Sequence, residues 1–161
     1  MLRTVPMSDY VREMRALIGN RQLLLPSVSI LVWDADGRLL MVRNIETGLW
    51  QTVGGAVEPA EDPREAAVRE AAEETGLAVA LTGIRGVTGG PEFQFTYPNG
   101  HQVAFAGIIY DAEVTGGELL ADGDGDEVSA ARWWPVPELE SAAMSELTRA
   151  LLTRAGVFRR T

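Results

Sequence analysis

The stretch Gly54-Gly55-Ala56-Val57-Glu58-Pro59-Ala60-Glu61 leads through Asp62-Pro63-Arg64-Glu65 to Arg69-Glu70-Ala71-Ala72-Glu73-Glu74-Thr75-Gly76-Leu77. Asp62 supplies a capping oxygen, Pro63 suits the first helical position, and Glu65 stands where a capping box wants a carboxylate. The spacing predicts a helix that runs to about Thr75, with Gly76 as a left-handed stop. At about 100° per residue, Arg69, Glu70, Glu73 and Glu74 fall on one side of that helix, spanning roughly 140°. Ala67, Val68, Ala71, Ala72 and Thr75 take the opposite side, which is small enough to lie close against a sheet.

The polar side is electrostatically uncomfortable. Carboxylates at i, i+3 and i+4 repel one another, and negative charge near a helix C-terminus opposes the macrodipole. Arg69 neutralises one charge and leaves a net negative cluster beside a glycine-rich loop at Thr52 to Ala56. A hard divalent cation, which takes oxygen ligands, is the natural partner of such a cluster. An isolated Glu-Glu pair would ordinarily be a solvated acidic face, so the decision rests on the spacing upstream.

Outward from the helix, Ser27 to Trp33 and Arg38 to Arg43 read as two strands joined by the turn Asp34-Ala35-Asp36-Gly37. Tyr10 to Ile18 places Val11, Met14, Leu17 and Ile18 at helical spacing before Gly19-Asn20. That N-terminal helix either packs on the domain or forms a homodimer contact. Downstream, Leu77 to Val87 is extended, and Phe93, Phe95 and Tyr97 alternate with polar residues. Pro98-Asn99-Gly100 then reverses the chain into a long strand from Val103 to Val114. A polar loop covers Gly116 to Asp126, Arg132-Trp133-Trp134 forms a short strand, and a closing helix runs from Pro137 to about Arg154. Residues 1–25 thus form a helix and lead-in segment, and 26–161 the main domain. Strands flanked by helices at the middle and end give an α/β class, a mixed β-sheet covered on both faces.

Composition narrows the function. A chain of 161 residues, 46% hydrophobic and 23% charged, suits one globular domain. Fourteen Lys and Arg against 23 Asp and Glu give a net charge of -9, which argues against nucleic-acid and membrane partners. A small phosphate ligand remains compatible, because a divalent metal bridges carboxylates to phosphates. The absence of cysteine excludes disulfides, thiolate nucleophiles and Cys-ligated metals. Met1-Leu2-Arg3-Thr4-Val5-Pro6 lacks an apolar leader core, and the longest apolar runs are too short to span a bilayer, so the expected location is cytoplasmic.

From Gly55 the pattern runs Gly, five residues, Glu61, seven residues, Arg69-Glu70, a small apolar residue, any residue, Glu73-Glu74, any residue, Gly76 and an aliphatic residue. This resembles the Nudix box, the defining motif of the Nudix hydrolases (MutT-like proteins). Seven fixed residues at set spacing arise by chance on the order of 10⁻⁹ per window. Ala71 fills a slot where a bulkier aliphatic residue is preferred, and Val53 stands where many members carry Pro. The element order from about Ser27 to Arg154 is similar to that family's α/β/α sandwich.

The resemblance implies an enzyme that cleaves the pyrophosphate bond of a nucleoside diphosphate linked to another moiety, with Mg2+ or Mn2+. It implies Glu70 and Glu74 as metal ligands, with Glu73 as a further ligand or orienting group. Arg69 resembles the residue that holds these carboxylates in place, Glu61 an auxiliary carboxylate, and the carbonyl of Gly54 an inner-shell ligand. Glu70 or a carboxylate from a distant loop would be the general base. Glu127, in Asp122-Gly123-Asp124-Gly125-Asp126-Glu127, stands six residues before Trp133, a spacing similar to that of a metal-binding Glu in some members. The same run fails as a calcium-binding EF-hand loop, since Glu127 replaces the required glycine and Trp133 the bidentate glutamate; a solvated Asp- and Gly-rich turn is its other reading.

Candidates for substrate contact are Arg43, which leaves its strand towards the glycine segment, Trp50 just ahead of it, Gly55 within it, and Tyr97 or its aromatic neighbours as a stacking surface. Burial in the core is the competing reading for the aromatics. His101 follows a turn and reads as a partly exposed strand residue. Neither the proline associated with ADP-ribose hydrolases nor the coenzyme A motif is reproduced, so the substrate stays open among nucleoside triphosphates, ADP-ribose and nucleotide sugars. Two other functions are compatible with the residues: a nucleotide-sensing module without turnover, and a purely structural acidic helix.

Overall fold

β1 (Leu23–Trp33) organises the molecule because both of its faces are apolar along much of its length. Residues Val28, Ile30 and Val32 point one way and Leu23, Leu25 and Leu31 the other, and each set is buried. The computed structural model describes residues 7–159. The reading of residues 1–6 as lacking a leader core lies outside the described residues.

In chain order the elements are α1 (Asp9–Ile18), β1, β2 (Leu39–Asn44), β3 (Trp50–Ala56), α2 (Pro63–Thr75), β4 (Leu77–Thr88), β5 (Gln94–Thr96), β6 (Gln102–Gly117), β7 (Val128–Trp134), α3 (Val136–Leu139) and α4 (Glu146–Arg154). The strands form one mixed sheet in the order β4-β6-β1-β3-β2-β7, with β5 paired to β6. β1 runs parallel to β6 from Leu23↔Val103 to Trp33↔Glu113 and antiparallel to β3, with Val28 opposite Gly55. The parallel pair explains why a long crossover holding α2 lies between β1 and β6.

α2 covers one face, laying Ala66, Ala67 and Ala71 on Val28, Val42, Val53 and Ala112. α4 covers the other, with Leu151 and Leu152 against Leu31, Leu39, Met41 and Ile109. Each buried Val, Leu, Ile or Met among these contributes about 1.5–3 kcal/mol by leaving water, and each alanine methyl less. The expected mixed sheet between helices is what forms. No helix among the described residues is long and apolar enough to cross a membrane.

The apolar side of α1 turns inward. Val11, Met14 and Ile18 pack on Leu23, Leu25 and Val103, and the buried Arg15 donates to the carbonyls of Gly19, Arg21 and Gln102. The side offered for a dimer contact is therefore consumed within the chain, leaving Leu17 as its exposed apolar residue.

Four local expectations are corrected. The glycine-rich segment Thr52 to Ala56 is part of β3, because its backbone pairs with β1 from Ser27↔Ala56 to Ile30↔Val53. The closing helix is broken into α3 and α4: the chain between them forms a bridge from Met144 to Trp50, and Ser145 caps a fresh start by accepting the Thr148 N–H at 3.2 Å. Phe93 lies in a 3-10 turn over Pro91–Phe93, fully buried, with the Arg154 guanidinium 4.9 Å from its ring centre. Gly116 belongs to β6, opposite Ala78, so the polar loop begins after Gly117.

Candidate active site

α2 forms as its termini demand. Asp62 accepts the Arg64 N–H at 2.8 Å and Glu65 returns to the Asp62 N–H, completing the capping box. Gly76, at φ +75°, closes the other end with its N–H on the Ala72 carbonyl. The sheet side of α2 differs from the expected one: Val68 and Ala72 are exposed, and the buried stripe is Ala66, Ala67, Glu70, Ala71, Glu74 and Thr75. β3 offers glycines where the helix approaches, so Glu70 and Glu74 turn inward and Glu73 stays outward.

Arg69 is the hub of that side. Its Nε and Nη2 grip both oxygens of Glu61 at 2.7 and 3.0 Å, a bidentate fork. Nη1 donates to Glu70 at 2.7 Å and to Glu73 at 3.2 Å, and Nη2 also reaches the Ala56 carbonyl at 3.2 Å. One guanidinium thus ties α2 to the end of β3 and to the loop carrying Glu61. The hydrogen bonds from Arg69 hold the Glu61 carboxyl below its usual range, and that pairing raises Arg69 in turn.

Glu70 and Glu74 are driven under β3. Glu74 is 3% exposed and accepts the Gly54 N–H at 3.1 Å. Glu70, 9% exposed, sits against Gly55 so closely that a Cβ there would strike its carboxylate. Gly54 is needed for another reason: a Cβ would strike the Val28 carbonyl across the β1–β3 pair. The close approach at Gly54 is thus to the neighbouring strand.

Burial pushes both carboxyls up. For Glu70 desolvation outweighs the pull of Arg69. For Glu74 the rise is large, caused first by burial and then by Glu70, with Glu127 and Asp124 adding to it. Glu127, on the loop before β7, is pushed up to about 7 by burial, then by Glu70 and Asp124. Three carboxyls from two elements therefore share one field, with Arg69 as the counter-charge beside Glu70.

Among the described residues no group of three or more His, Cys, Asp or Glu side chains is arranged to hold a metal ion in advance. Glu70 and Glu73 are turned to Arg69 instead. The chemistry of the donors nevertheless fits a hard divalent cation: oxygen atoms only, excess negative charge and partial exclusion from water.

A pH signature follows. Groups whose folded pKa is raised bind more protons in the folded than in the unfolded protein, so stability falls as pH rises. For Glu127 that window opens near 4.5 and closes above about 7. The melting temperature of metal-free protein should fall between pH 5 and 8, and MgCl2 should raise it more at pH 8 than at pH 5. A flat profile, with no magnesium effect at either pH, would contradict the crowding.

The substrate candidates stand elsewhere. Arg43 and Trp50 face each other in the β2–β3 register, on the side of the sheet opposite α2. The Arg43 guanidinium lies 5.9 Å from the Trp50 ring centre and its Nε donates to Ser129 Oγ at 3.0 Å. Trp50 meets Trp134 edge-on at 5.2 Å, as part of the core under α4. Tyr97 is 38% exposed and edge-on to Phe95 at 5.0 Å. Burial raises the Tyr97 hydroxyl above its usual range, with the charge of Glu46 adding to it. His101 pairs with Asn99 in the hairpin turn.

The sequence singles out the run Asp122 to Glu127 but assigns no separate role to Asp124 and Gly123, which shape the loop holding Glu127. The alternation Asp-Gly-Asp-Gly was the available clue, since Asp side chains close turns on their own backbone.

A family model described as NUDIX domain matches residues 23–155. A putative 8-oxo-dGTP diphosphatase of Bacillus subtilis (strain 168) is 38% identical over 104 residues, 65% of this chain and 62% of that protein. The chain thus spans less than two thirds of that relative's length. An ADP-ribose pyrophosphatase of Methanocaldococcus jannaschii is 31% identical over 140 residues, 84% of this chain and 78% of that protein. Among solved structures, a MutT protein from Methanosarcina mazei Go1 superposes with a TM-score of 0.65 at 24% identity, covering 84% of this chain and 95% of that one. At that identity the likeness speaks to the fold.

Proposed function

The chain belongs to the Nudix family, and on that premise we propose that it is a magnesium-dependent pyrophosphohydrolase, with manganese as a substitute. Its substrate is a nucleoside diphosphate linked to another moiety: a nucleoside triphosphate, ADP-ribose or a nucleotide sugar. The observation that carries this reading is the pair Glu70 and Glu74, buried on α2 under the glycines of β3 and organised by Arg69. The relatives bearing the names 8-oxo-dGTP diphosphatase and ADP-ribose pyrophosphatase support the bond cleaved. The net charge of -9 supports a free nucleotide over a nucleic acid.

In this reading residues 26–161 form the catalytic domain, with 1–25 as its lead-in. Glu70, Glu73 and Glu74, with the Gly54 carbonyl, would hold the divalent cation, which would supply Lewis acidity for charge building on the phosphates. Arg69 orients Glu70 and Glu73 and is itself set by Glu61. Gly55 leaves the room that the Glu70 carboxylate occupies. Glu127 approaches from the loop and takes the proton of the attacking water, a task its carboxyl suits near neutral pH. Arg43, Trp50 and Tyr97 are the candidates for contact with the nucleotide, Arg43 and Trp50 on the face of the sheet opposite α2.

The test is phosphate release with MgCl2 from nucleoside triphosphates, ADP-ribose, nucleotide sugars and dinucleoside polyphosphates. Parallel samples are coupled to inorganic pyrophosphatase or to alkaline phosphatase. Signal through pyrophosphatase identifies a triphosphate cut to monophosphate and pyrophosphate. Signal only through alkaline phosphatase identifies a linked diphosphate split into exposed monophosphates. Intact nucleotide bound without turnover would replace the enzyme by a sensing module.

A further inference from the structure

Glu127 reaches the site from a loop, yet it has no Arg or Lys ion partner among the described residues. What directs it is found one turn earlier. A single oxygen of Asp124, Oδ1, accepts the backbone N–H groups of Asp126, Glu127 and Val128 at 2.8, 3.0 and 3.0 Å. Three amides converging on one carboxylate oxygen fold the segment into a tight arch, with Glu127 in the middle of the gathered amides. Charge-assisted bonds to backbone N–H groups are the strong kind.

The surrounding chain is built to permit this arch. Gly123 sits at φ +79°, and a Cβ there would strike the Val128 carbonyl. Its N–H is held by the Leu120 carbonyl at 2.9 Å, and the Gly125 N–H meets the Val128 carbonyl at 3.2 Å. From the other side the Ile45 N–H donates to the Glu127 carbonyl at 2.9 Å, anchoring the arch to the β2–β3 turn. The Glu127 backbone is thus gripped on its N–H by Asp124 and on its carbonyl by Ile45. Its half-buried carboxyl lies within electrostatic reach of Glu70, Glu73 and Glu74.

We propose that Asp124 is a positioning residue, whose carboxylate gathers the amides of residues 126–128 and thereby sets the direction in which Glu127 enters the active site. The inference rests on the pyrophosphohydrolase reading and on Glu127 taking part in it. Asp124 acts through its acceptor oxygen. Its negative charge, which disfavours ionisation of both Glu74 and Glu127, is not what the site uses. Asparagine keeps the same acceptor without the charge and closes the same kind of turn, so the two roles separate cleanly.

The experiment compares Asp124→Ala, Asp124→Asn, Glu127→Gln and the double variant Asp124→Ala/Glu127→Gln in full-length protein. It reads kcat and KM with MgCl2 on the best substrate of the panel, and hydrogen exchange of the segment 126–128 without metal. Asp124→Ala should lower kcat by about 10- to 100-fold, the scale of a small misplacement at a reacting centre, with KM little changed. Exchange at 126–128 should rise in the same variant. Asp124→Asn should restore both protection and kcat to within about twofold of wild type, since the acceptor survives. The double variant should be no slower than Glu127→Gln alone, as expected of two residues acting as one unit.

Equal damage from Asn and Ala would overturn the inference in favour of a charge or ligand role for Asp124. Losses that multiply in the double variant would also overturn it, and so would an unaffected Asp124→Ala. Wild-type protein inert on the whole panel would instead overturn the functional reading beneath it.

Discussion

Glu74→Gln should lose at least about 100-fold in turnover, the scale of removing one preorganised electrostatic group at a reacting centre. The replacement keeps the shape and an acceptor oxygen for the Gly54 N–H, now 3.1 Å from the carboxylate. It removes a charge at a side chain that is 3% exposed and already faces Glu70, Glu127 and Asp124. Folding therefore does not suffer. The metal-free variant should melt at or above the wild-type temperature at pH 8, because the amide carries no desolvation penalty for a carboxylate. Stabilisation by MgCl2 should shrink in parallel with kcat. An enzyme that turns over normally as Glu74→Gln would remove Glu74 from the site. A variant that unfolds would show the carboxylate to be structural.

The second large effect is expected at Arg69, with the opposite balance between stability and activity. Arg69→Ala removes the fork on Glu61, the bonds to Glu70 and Glu73, and the link to the Ala56 carbonyl. Glu61, Glu70 and Glu73 then face one another without a counter-charge. Breaking a largely buried ion pair by deleting one partner costs about 3–5 kcal/mol. The Arg69 side chain retains 30% exposure, so about 2–4 kcal/mol is the better expectation. For a chain of this size that is a fall of about 5–15 °C in melting temperature. Turnover should drop by about 100-fold or more, since Glu70 loses the group that orients it. Arg69→Lys restores charge but makes one point contact in place of the planar fork. It should recover most of the stability and little of the activity. Calorimetry and steady-state kinetics on both variants decide the matter, and full activity in Arg69→Lys would show that charge alone suffices.

The comparison of residue patterns with the folded chain separates two kinds of information. The cap at Asp62, the start at Pro63 and the stop at Gly76 all appear where the pattern places them. Each depends on contacts within four residues, so adjacent letters suffice to specify it. The two sides of α2 were only partly legible: Ala67, Ala71 and Thr75 are buried as the spacing predicts, but Val68 and Ala72 are exposed and Glu70 and Glu74 are buried, which depends on the approach of β3. The break between α3 and α4 was not legible, because it is produced by a strand bridge from Met144 to Trp50, distant in sequence. The glycines of β3 were misread as loop because glycine is rare inside strands. They are there because Glu70 and the Val28 carbonyl come too close for any side chain.

By itself, then, the amino-acid sequence determined helix α2, its caps and, through the spacing of Glu61, Arg69, Glu70, Glu73 and Glu74, the family. The packing of β3 decided that Glu70 and Glu74 turn inward and Val68 and Ala72 outward. Tertiary structure alone decided that Arg43 and Trp50 lie across the sheet from α2, that the side of α1 is spent within the chain, and that Glu127 comes within electrostatic reach of Glu70 and Glu74. The physical reason is range. Helix periodicity and capping are set by neighbours one turn away. The approach of a loop carboxylate to a helix some fifty residues earlier depends on the parallel registry of β1 with β6, the pairing of β2 with β7 and the arch closed by Asp124, which no local pattern encodes.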